Sequence, residues 1–362
     1  MSDTFRELLR KVGSGPHTSQ DLTRTESAIA THMILTQEAT PAQIGAFMIA
    51  HRIKRPTGEE LAGMLDAYDQ LGPKLRAISA AYPAMVMGIP YDGRSRTAPI
   101  NVLTALILTA AGCPVVLHGG RRMPTKEGLP LVEIWQGLGV DWSQIALEQA
   151  QQIFEKTLLG FVYLPNHFPL ADRVVPYRQQ IGKRPPFATV ELFWCPYEGD
   201  AIVISGYVHP PTEEMAKSAF ALRGINHFLT VKGLEGSCDL PRDRTCIIGI
   251  NNLAADPTFE RLLLHPRDYD FASAEVPLAS TDKLLADIQA VLQGSPCSLM
   301  ESAVWNGGFY LWQSGACADF QLGLATARDL LTSGKAAQKL SELMKTTTAL
   351  QQSVSVKDFA AT

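Results

Sequence analysis

The sequence predicts an α/β fold. A small N-terminal α-helical domain, residues 1–75, precedes a large domain, 76–362, with a mostly parallel central sheet flanked by helices. Three observations predict it. No strand candidate occurs before residue 84. From there, short apolar runs alternate with segments of helical spacing, as parallel strands with covering helices do. A composition of 46% hydrophobic and 19% charged residues over 362 positions is enough to bury a large core and a smaller one.

The elements follow in order. Met1–Gly13 reads as a polar amphipathic helix and not as a signal peptide. Thr18 or Ser19 is placed to cap a helix running through Ile29 and Met33. Thr40 before Pro41 opens the next, on which Ile44, Phe47, Met48 and His51 share a face. Thr57 caps a third helix, with Glu59 and Glu60 in its first turn, where carboxylates favour the helix dipole. Strands are expected at 84–88, 114–117, 160–163, 201–206, 227–231 and 245–249. Helices are expected at 100–111, 128–138, 144–156, 170–181, 212–223 and 257–263. Residues 183–200, rich in proline and aromatics, read as a long surface connection, and part of 165–200 is expected to join the helical domain. The tail, 280–346, is mainly helical with one apolar segment at 308–312.

Charge and cysteine usage narrow the function classes. A net charge of −4 argues against a surface that is wholly a nucleic-acid footprint, while leaving room for a local basic groove. Six cysteines without a CxxC pair fit free thiols in a reducing cytoplasm better than disulfides or a zinc site. The most apolar window, Val102–Leu117, is shorter than the ~20 residues of a membrane span and contains Gly112 and Pro114.

The stretch Met85–Gly128 reads as strand, polar loop, helix, strand, polar loop. Both loops leave the carboxyl ends of their strands, where open α/β sheets bind ligands. Arg94, Arg96, Arg121, Arg122 and Lys126 would gather at one crevice with Asp92 among them, suiting an anionic ligand such as a phosphate with a metal. The bland alternatives stay open. Gly88–Gly93 is equally the composition of a structural strand-to-helix turn. Asn101 and Thr104 can simply face a helix start, His118 can be a structural histidine, and the arginines can be a solvated face.

Residues 35–68, LTQEATPAQIGAFMIAHRIKRPTGEELAGMLDAY, closely resemble the N-terminal helical domain of the anthranilate phosphoribosyltransferase family. These are type IV phosphoribosyltransferases, within glycosyltransferase family 3 and related to nucleoside phosphorylases. The resemblance continues in order through 88–104, 118–128, 174–182 (VVPYRQQIG), 231–239 and 320–346. It implies an active site between the two domains and a homodimer formed through the helical domain. It also implies transfer of ribose 5-phosphate from phosphoribosyl diphosphate to an aromatic amine, with Mg²⁺. Carried over residue by residue, it assigns Gly88, Asp92, Asn101, Thr104, Arg121 and Lys126 to the phosphoribosyl diphosphate, and His118, Gly120 and Arg178 to the acceptor. Glu235 and Asp239 would bind the metal. Arg178 stands at the family's carboxylate-binding arginine.

Several positions depart from the family pattern. Pro90 and Tyr91 stand in the glycine-rich loop, where Pro90 has no N–H to donate. Gly120 replaces an asparagine, which predicts a lost polar contact and extra space. Cys238 replaces an aspartate of the metal motif. The pattern resembles a divergent branch of the family, some of whose members are thought to bind nucleic acid. The alternative expectation is therefore a binding scaffold whose basic groove is lined by Arg94, Arg96, Arg121, Arg122, Lys126, Lys183, Arg184, Arg242 and Arg244.

Overall fold

The computed structural model describes residues 3–15, 17–252 and 259–360, by backbone alone from 353 onward. Four helices come first: α1 (Asp3–Gly13), α2 (Arg24–Leu35), α3 (Pro41–Lys54) and α4 (Gly58–Leu71). The threonine hydroxyls of Thr23, Thr40 and Thr57 accept the N–H of the residue three positions on, while Glu26, Gln43 and Glu60 reach back to the capping N–H. Each such cap is worth about 1 kcal/mol. Thr23, not Thr18 or Ser19, begins α2, because Thr23 is the residue followed three positions later by a glutamate. Glu60 also ties the module together. It is fully buried and accepts from the N–H of Leu22 and from Lys54, at 2.9 and 2.8 Å. Burial opposes its ionisation, but His51, the Leu22 N–H and Lys54 outweigh this and hold the carboxyl down at about 2.

The α/β domain follows as β1 (Ala84–Gly88), α5 (Asn101–Ala110), β2 (Val115–Gly119), α6 (Leu131–Gly137), α7 (Leu147–Thr157) and β3 (Leu159–Tyr163). Next come α8 (Leu164–His167), α9 (Pro169–Asp172), α10 (Val175–Ile181), α11 (Phe187–Phe193), β4 (Ala201–Gly206), α12 (Pro210–Leu222) and β5 (His227–Val231). The chain ends with β6 (Cys246–Asn252), β7 (Phe259–Leu264), α13 (Thr281–Leu292), α14 (Met300–Gln313), α15 (Phe320–Thr332) and α16 (Lys335–Ala360). The sheet order is β3-β2-β1-β4-β5-β6-β7. The first five strands in that order are parallel, and β6 and β7 add antiparallel. β1 sits mid-sheet and is fully buried, with Val86 opposite both Val116 and Val203. That burial on both faces explains its unbroken apolar run.

The structure corrects three local expectations. The helix expected at 257–263 is β7 where it is described, residues 257 and 258 lying outside the described residues. Phe259, Leu262 and Leu263 have helical spacing, but β6 offers a free edge and the ladder prevails. The helix expected at 170–181 is two short helices, α9 and α10, broken just before Val175-Pro176. Residues 183–200 are not a surface connection, since they contain the buried helix α11. The apolar segment 308–312 lies inside α14. Helix α10 packs on α3 and α11 on α4, so the segment between β3 and β4 leans on the helical module.

Candidate functional site

The strand order reverses between β1 and β4, with β2 and β3 wound to one side and β5 to the other. A doubly wound sheet opens a crevice at such a point, beyond the carboxyl ends of its strands. A cleft of about 310 Å³ lies there. Pro90 after β1, Tyr207 and His209 after β4, and Glu235 after β5 form its floor. Arg52 and Pro56 face it from the helical module, and the segment Arg184–Leu192 closes one side.

The loops after β1 and β2 meet beside this cleft and clasp each other. Arg94 and Leu129 exchange backbone hydrogen bonds of 3.1 and 2.7 Å, and Gly128 N–H donates to the Asp92 carbonyl at 3.0 Å. Gly93 has φ +71, and a Cβ there would lie 2.5 Å from the Leu129 carbonyl, so both conformation and space require glycine. Lys126 donates to the Gly93 carbonyl at 2.9 Å and lies 3.2 Å from Glu235.

Arg94 then knots these loops to the loop after β5. Its buried guanidinium lies 3.3 Å from Glu235 and 2.5 Å from Asp239, and donates to Ser237 Oγ at 2.8 Å. Asp239 also accepts from the Ile100 N–H, and Glu235 from the N–H groups of Ser95, Arg96 and Thr97. Burial disfavours the Glu235 anion, but the Thr97 and Arg96 N–H groups with Lys126 and Arg94 prevail and hold its pKa far below the ordinary carboxylate range. Burial pushes Asp239 upward, against the pull of Arg94. Glu235 adopts a left-handed backbone (φ 54, ψ 23), a strained conformation that its ring of donors sustains. Magnesium needs carboxylate oxygens with room for a hydrated ion. As arranged, Glu235 and Asp239 do not fit that role, because arginine, lysine and backbone N–H groups already take both oxygens of Glu235 and Oδ2 of Asp239. Among the described residues no group of three or more His, Cys, Asp or Glu is placed to hold a metal.

A second polar cluster lies behind the cleft wall, and its bonding is incomplete. Arg178 and Glu191 are both buried, and Arg178 Nη2 donates to Glu191 Oε1 at 2.7 Å. Arg178 Nη1 and Glu191 Oε2 have no hydrogen-bond partner in the chain. Burial, reinforced by Asp92 and moderated by Arg178, pushes the Glu191 carboxyl up to about 7. Asp92 is buried 2.5 Å from Arg184 Nε, as an ion pair and not a directed hydrogen bond. His118, at the end of β2, shares a 2.6 Å hydrogen bond between Nδ1 and the Tyr91 hydroxyl, while its Nε2 is unpartnered. Complete burial depresses its pKa to about 3, so the ring is neutral. Trp194 stands edge-on to His118 and to Tyr68, at 5.5 and 5.7 Å between ring centres.

The remaining expected residues scatter around these two clusters. A Cβ on Gly88 would lie 1.9 Å from the Leu192 carbonyl, so the close approach of α11 requires glycine here. Asn101 Nδ2 and Thr104 Oγ1, at the start of α5, are buried without partners. Gly120 does not leave extra space: a Cβ there would meet the Met123 methyl at 2.5 Å. Arg121 pairs with Asp172 at 2.9 Å, on the exposed side. The expected basic groove is not an open stripe. Arg94 and Arg242 are buried, while Arg96, Arg121, Arg122, Lys126, Arg184 and Arg244 each lie beside a carboxylate. Sequence reasoning missed Arg52, His209 and Glu191 as site residues. Glu191 carried a visible signal, a lone acid inside the apolar run Phe187–Trp194.

Comparison with known proteins places this architecture. The helical bundle domain of the glycosyl transferase family matches residues 6–72, and the a/b domain of the same family matches 92–337. An anthranilate phosphoribosyltransferase of Azorhizobium caulinodans is 28% identical, over 97% of this chain and 99% of its own length. One from Verminephrobacter eiseniae is 26% identical, over 88% and 92%. The anthranilate phosphoribosyltransferase of Thermus thermophilus superposes with a TM-score of 0.78 at 20% identity, covering 96% of this chain and 99% of that one. The Saccharomyces cerevisiae enzyme, solved with PRPP and Mg, also gives 0.78, at 15% identity over 95% and 98%. With both domains matched in order across most of its length, the chain belongs to the glycosyl transferase family built from a helical bundle domain and an a/b domain.

Proposed function

We propose that the chain is a phosphoribosyltransferase-type pentosyl transferase. It would bind phosphoribosyl diphosphate in the switch-point cleft and pass ribose 5-phosphate to an aromatic amine or related nitrogen acceptor. The observation that carries this reading is the cleft itself, at the carboxyl ends of β1, β4 and β5, lined by Arg52 of the helical module and by Arg184. Two cations lining a cleft suit a diphosphate, whose departure breaks the bond between oxygen and the sugar's first carbon. A new bond to the acceptor nitrogen forms there, and that nitrogen loses a proton. Asn101 and Thr104 supply polar groups without partners at the start of α5. A solved relative holds PRPP with Mg, and Mg²⁺ is expected here as the counter-ion of the donor. Glu235 and Asp239 serve the loops instead.

Six free cysteines and the absence, among the described residues, of any helix long and apolar enough to cross a membrane support a cytoplasmic location. Exposed Ile29 and Ile53 on the helical module support a homodimer through that module, which light scattering on the eluted protein would check. Titration calorimetry with phosphoribosyl diphosphate, with and without Mg²⁺, tests the central reading. Binding that Arg52→Ala and Arg184→Ala each weaken about ten-fold or more supports it. No heat at millimolar donor removes it.

A further inference from the structure

We propose that the pocket where the β5–β6 connection meets the end of β7 binds the phosphate group of a small anion, inorganic phosphate or a sugar monophosphate. The pocket encloses about 230 Å³, and Arg242, Asp243, Arg244, Thr245, His265 and Arg267 are among its lining residues. It shares no lining residue with the switch-point cleft, and the proposal does not depend on the transferase reading.

Arg242 carries the argument. It is only 7% exposed, yet among the described residues no carboxylate forms an ion pair with it. Its Nε donates to the Phe271 carbonyl at 2.8 Å and its Nη1 to Ser302 Oγ at 3.2 Å, while Nη2 makes no hydrogen bond among the described residues. The two carboxylates whose field reaches it are engaged elsewhere. Glu301 holds Arg328 through both oxygens, and Glu275 Oε1 accepts the backbone N–H groups of Arg242 and Asp243. Burial lowers the Arg242 pKa against the pull of Glu301 and Glu275. A buried charge without a partner is costly, and an anion in the pocket would relieve that cost.

The rest of the lining suits phosphate. Arg244 and Arg267 add two exposed guanidiniums. Asp243 is the one carboxylate of the lining, and both its oxygens lie on Arg244 Nη1, at 2.8 and 3.1 Å. Asp268 lies 3.6 Å from Arg267, but both are exposed, where such pairs count for little. Three guanidiniums match a tetrahedral group whose oxygens point to several sides, whereas a carboxylate presents two oxygens in one plane. Thr245 and His265, joined by a 3.0 Å hydrogen bond, add a hydroxyl and an imidazole. The volume falls below the roughly 300–1,000 Å³ of sites for drug-sized ligands, so whatever carries the phosphate is small. Glu275, Phe271 and Ser302 already hold Arg242 in place, which leaves little ordering for the ligand to bring about.

The experiment is titration calorimetry on the full chain at low ionic strength, with inorganic phosphate, ribose 5-phosphate and acetate as probes. A background of Arg52→Ala with Arg184→Ala keeps cleft binding out of the signal. In that background phosphate or ribose 5-phosphate should bind at least about ten-fold more tightly than acetate. Adding Arg242→Gln should weaken this about ten-fold or more. Because a buried substitution can disturb folding, Arg244→Ala with Arg267→Ala, both exposed, should weaken it likewise with the melting temperature unchanged. Tighter binding of ribose 5-phosphate than of phosphate identifies a monoester site, and equal affinities a site for the phosphate group alone. No binding at about ten millimolar probe, acetate as tight as phosphate, or binding indifferent to the Arg244 and Arg267 replacements overturns the assignment. So does phosphate binding that the wild type shows and the Arg52→Ala, Arg184→Ala background lacks, since that phosphate sits in the cleft.

Discussion

Two buried polar clusters flank the same cleft, and they differ in completeness. Around Arg94, both oxygens of Glu235 and Oδ2 of Asp239 have a cation, a hydroxyl or a backbone N–H beside them. Around Arg178, one guanidinium nitrogen, two carboxylate oxygens (Glu191 Oε2 and Asp92 Oδ1) and one imidazole nitrogen have none. A closed network fixes loops relative to each other; an open one leaves bonding capacity for something that arrives later. Family resemblance would have sorted these residues otherwise, with the acids receiving a metal and the arginine a ligand's carboxylate.

Arg94 gives the most direct test of this difference. Arg94→Met leaves buried Asp239 without its counter-charge and takes one from Glu235, and it should cost about 3–5 kcal/mol in urea unfolding. A loss below about 1 kcal/mol would mean that the knot is not a strut. Acidity separates Glu191 from Glu235 next, because these two carboxyls shift in opposite directions. Glu191 is raised from 4.5 to about 7 on folding, so the native state binds the extra proton. Its contribution is favourable below pH 4.5 and is lost as pH rises through 7, about 3 kcal/mol in all. Glu235 is lowered on folding, so its contribution is complete above its unfolded value of 4.5 and declines as pH falls below that. Denaturation midpoints of the wild type and Glu191→Gln between pH 4.5 and 8 should therefore diverge at the alkaline end, with the wild type the less stable. Matching curves would show that Glu191 is not shifted.

A smaller effect is expected from the double replacement Arg178→Met with Glu191→Leu. Removing a half-bonded pair as a unit should leave stability within about 1 kcal/mol of the wild type, or above it. A loss as large as that of Arg94→Met would erase the distinction between the clusters. The smallest effect concerns magnesium. Added without donor, millimolar Mg²⁺ should move the melting temperature by no more than about 1 °C, since Glu235 and Asp239 offer it no free oxygen pair. A shift of several degrees would show that the ion displaces Arg94.

Much of the fold was legible because its signals are local. The six expected strands, the threonines at 40 and 57 and the helical start of the chain rest on runs, periods and caps that a short window contains. Strand β7 was not, because its six residues take their conformation from pairing with β6. The site was half legible. Loop positions at Gly88, His118 and Glu235 follow from strand ends. What these residues do depends on partners far away in sequence: Arg94 lies 141 and 145 positions from Glu235 and Asp239. An arginine in one loop and acids in another read as ligand binders until the chain brings them together. Arg178 and Glu191 are only 13 positions apart, on successive helices, but the helical packing that turns them toward each other leaves no pattern in the sequence.

The clasp between the loops after β1 and β2 bears on the kinetics of ligand capture. Arg94 and Leu129 lock the two loops into one ladder, and Lys126 fastens them again at Gly93. Their ordering entropy is spent when the chain folds, so an arriving anion meets one rigid jaw instead of two independent flaps. Capture should then be a single relaxation whose rate rises linearly with ligand concentration, without the plateau that a slow closing step imposes.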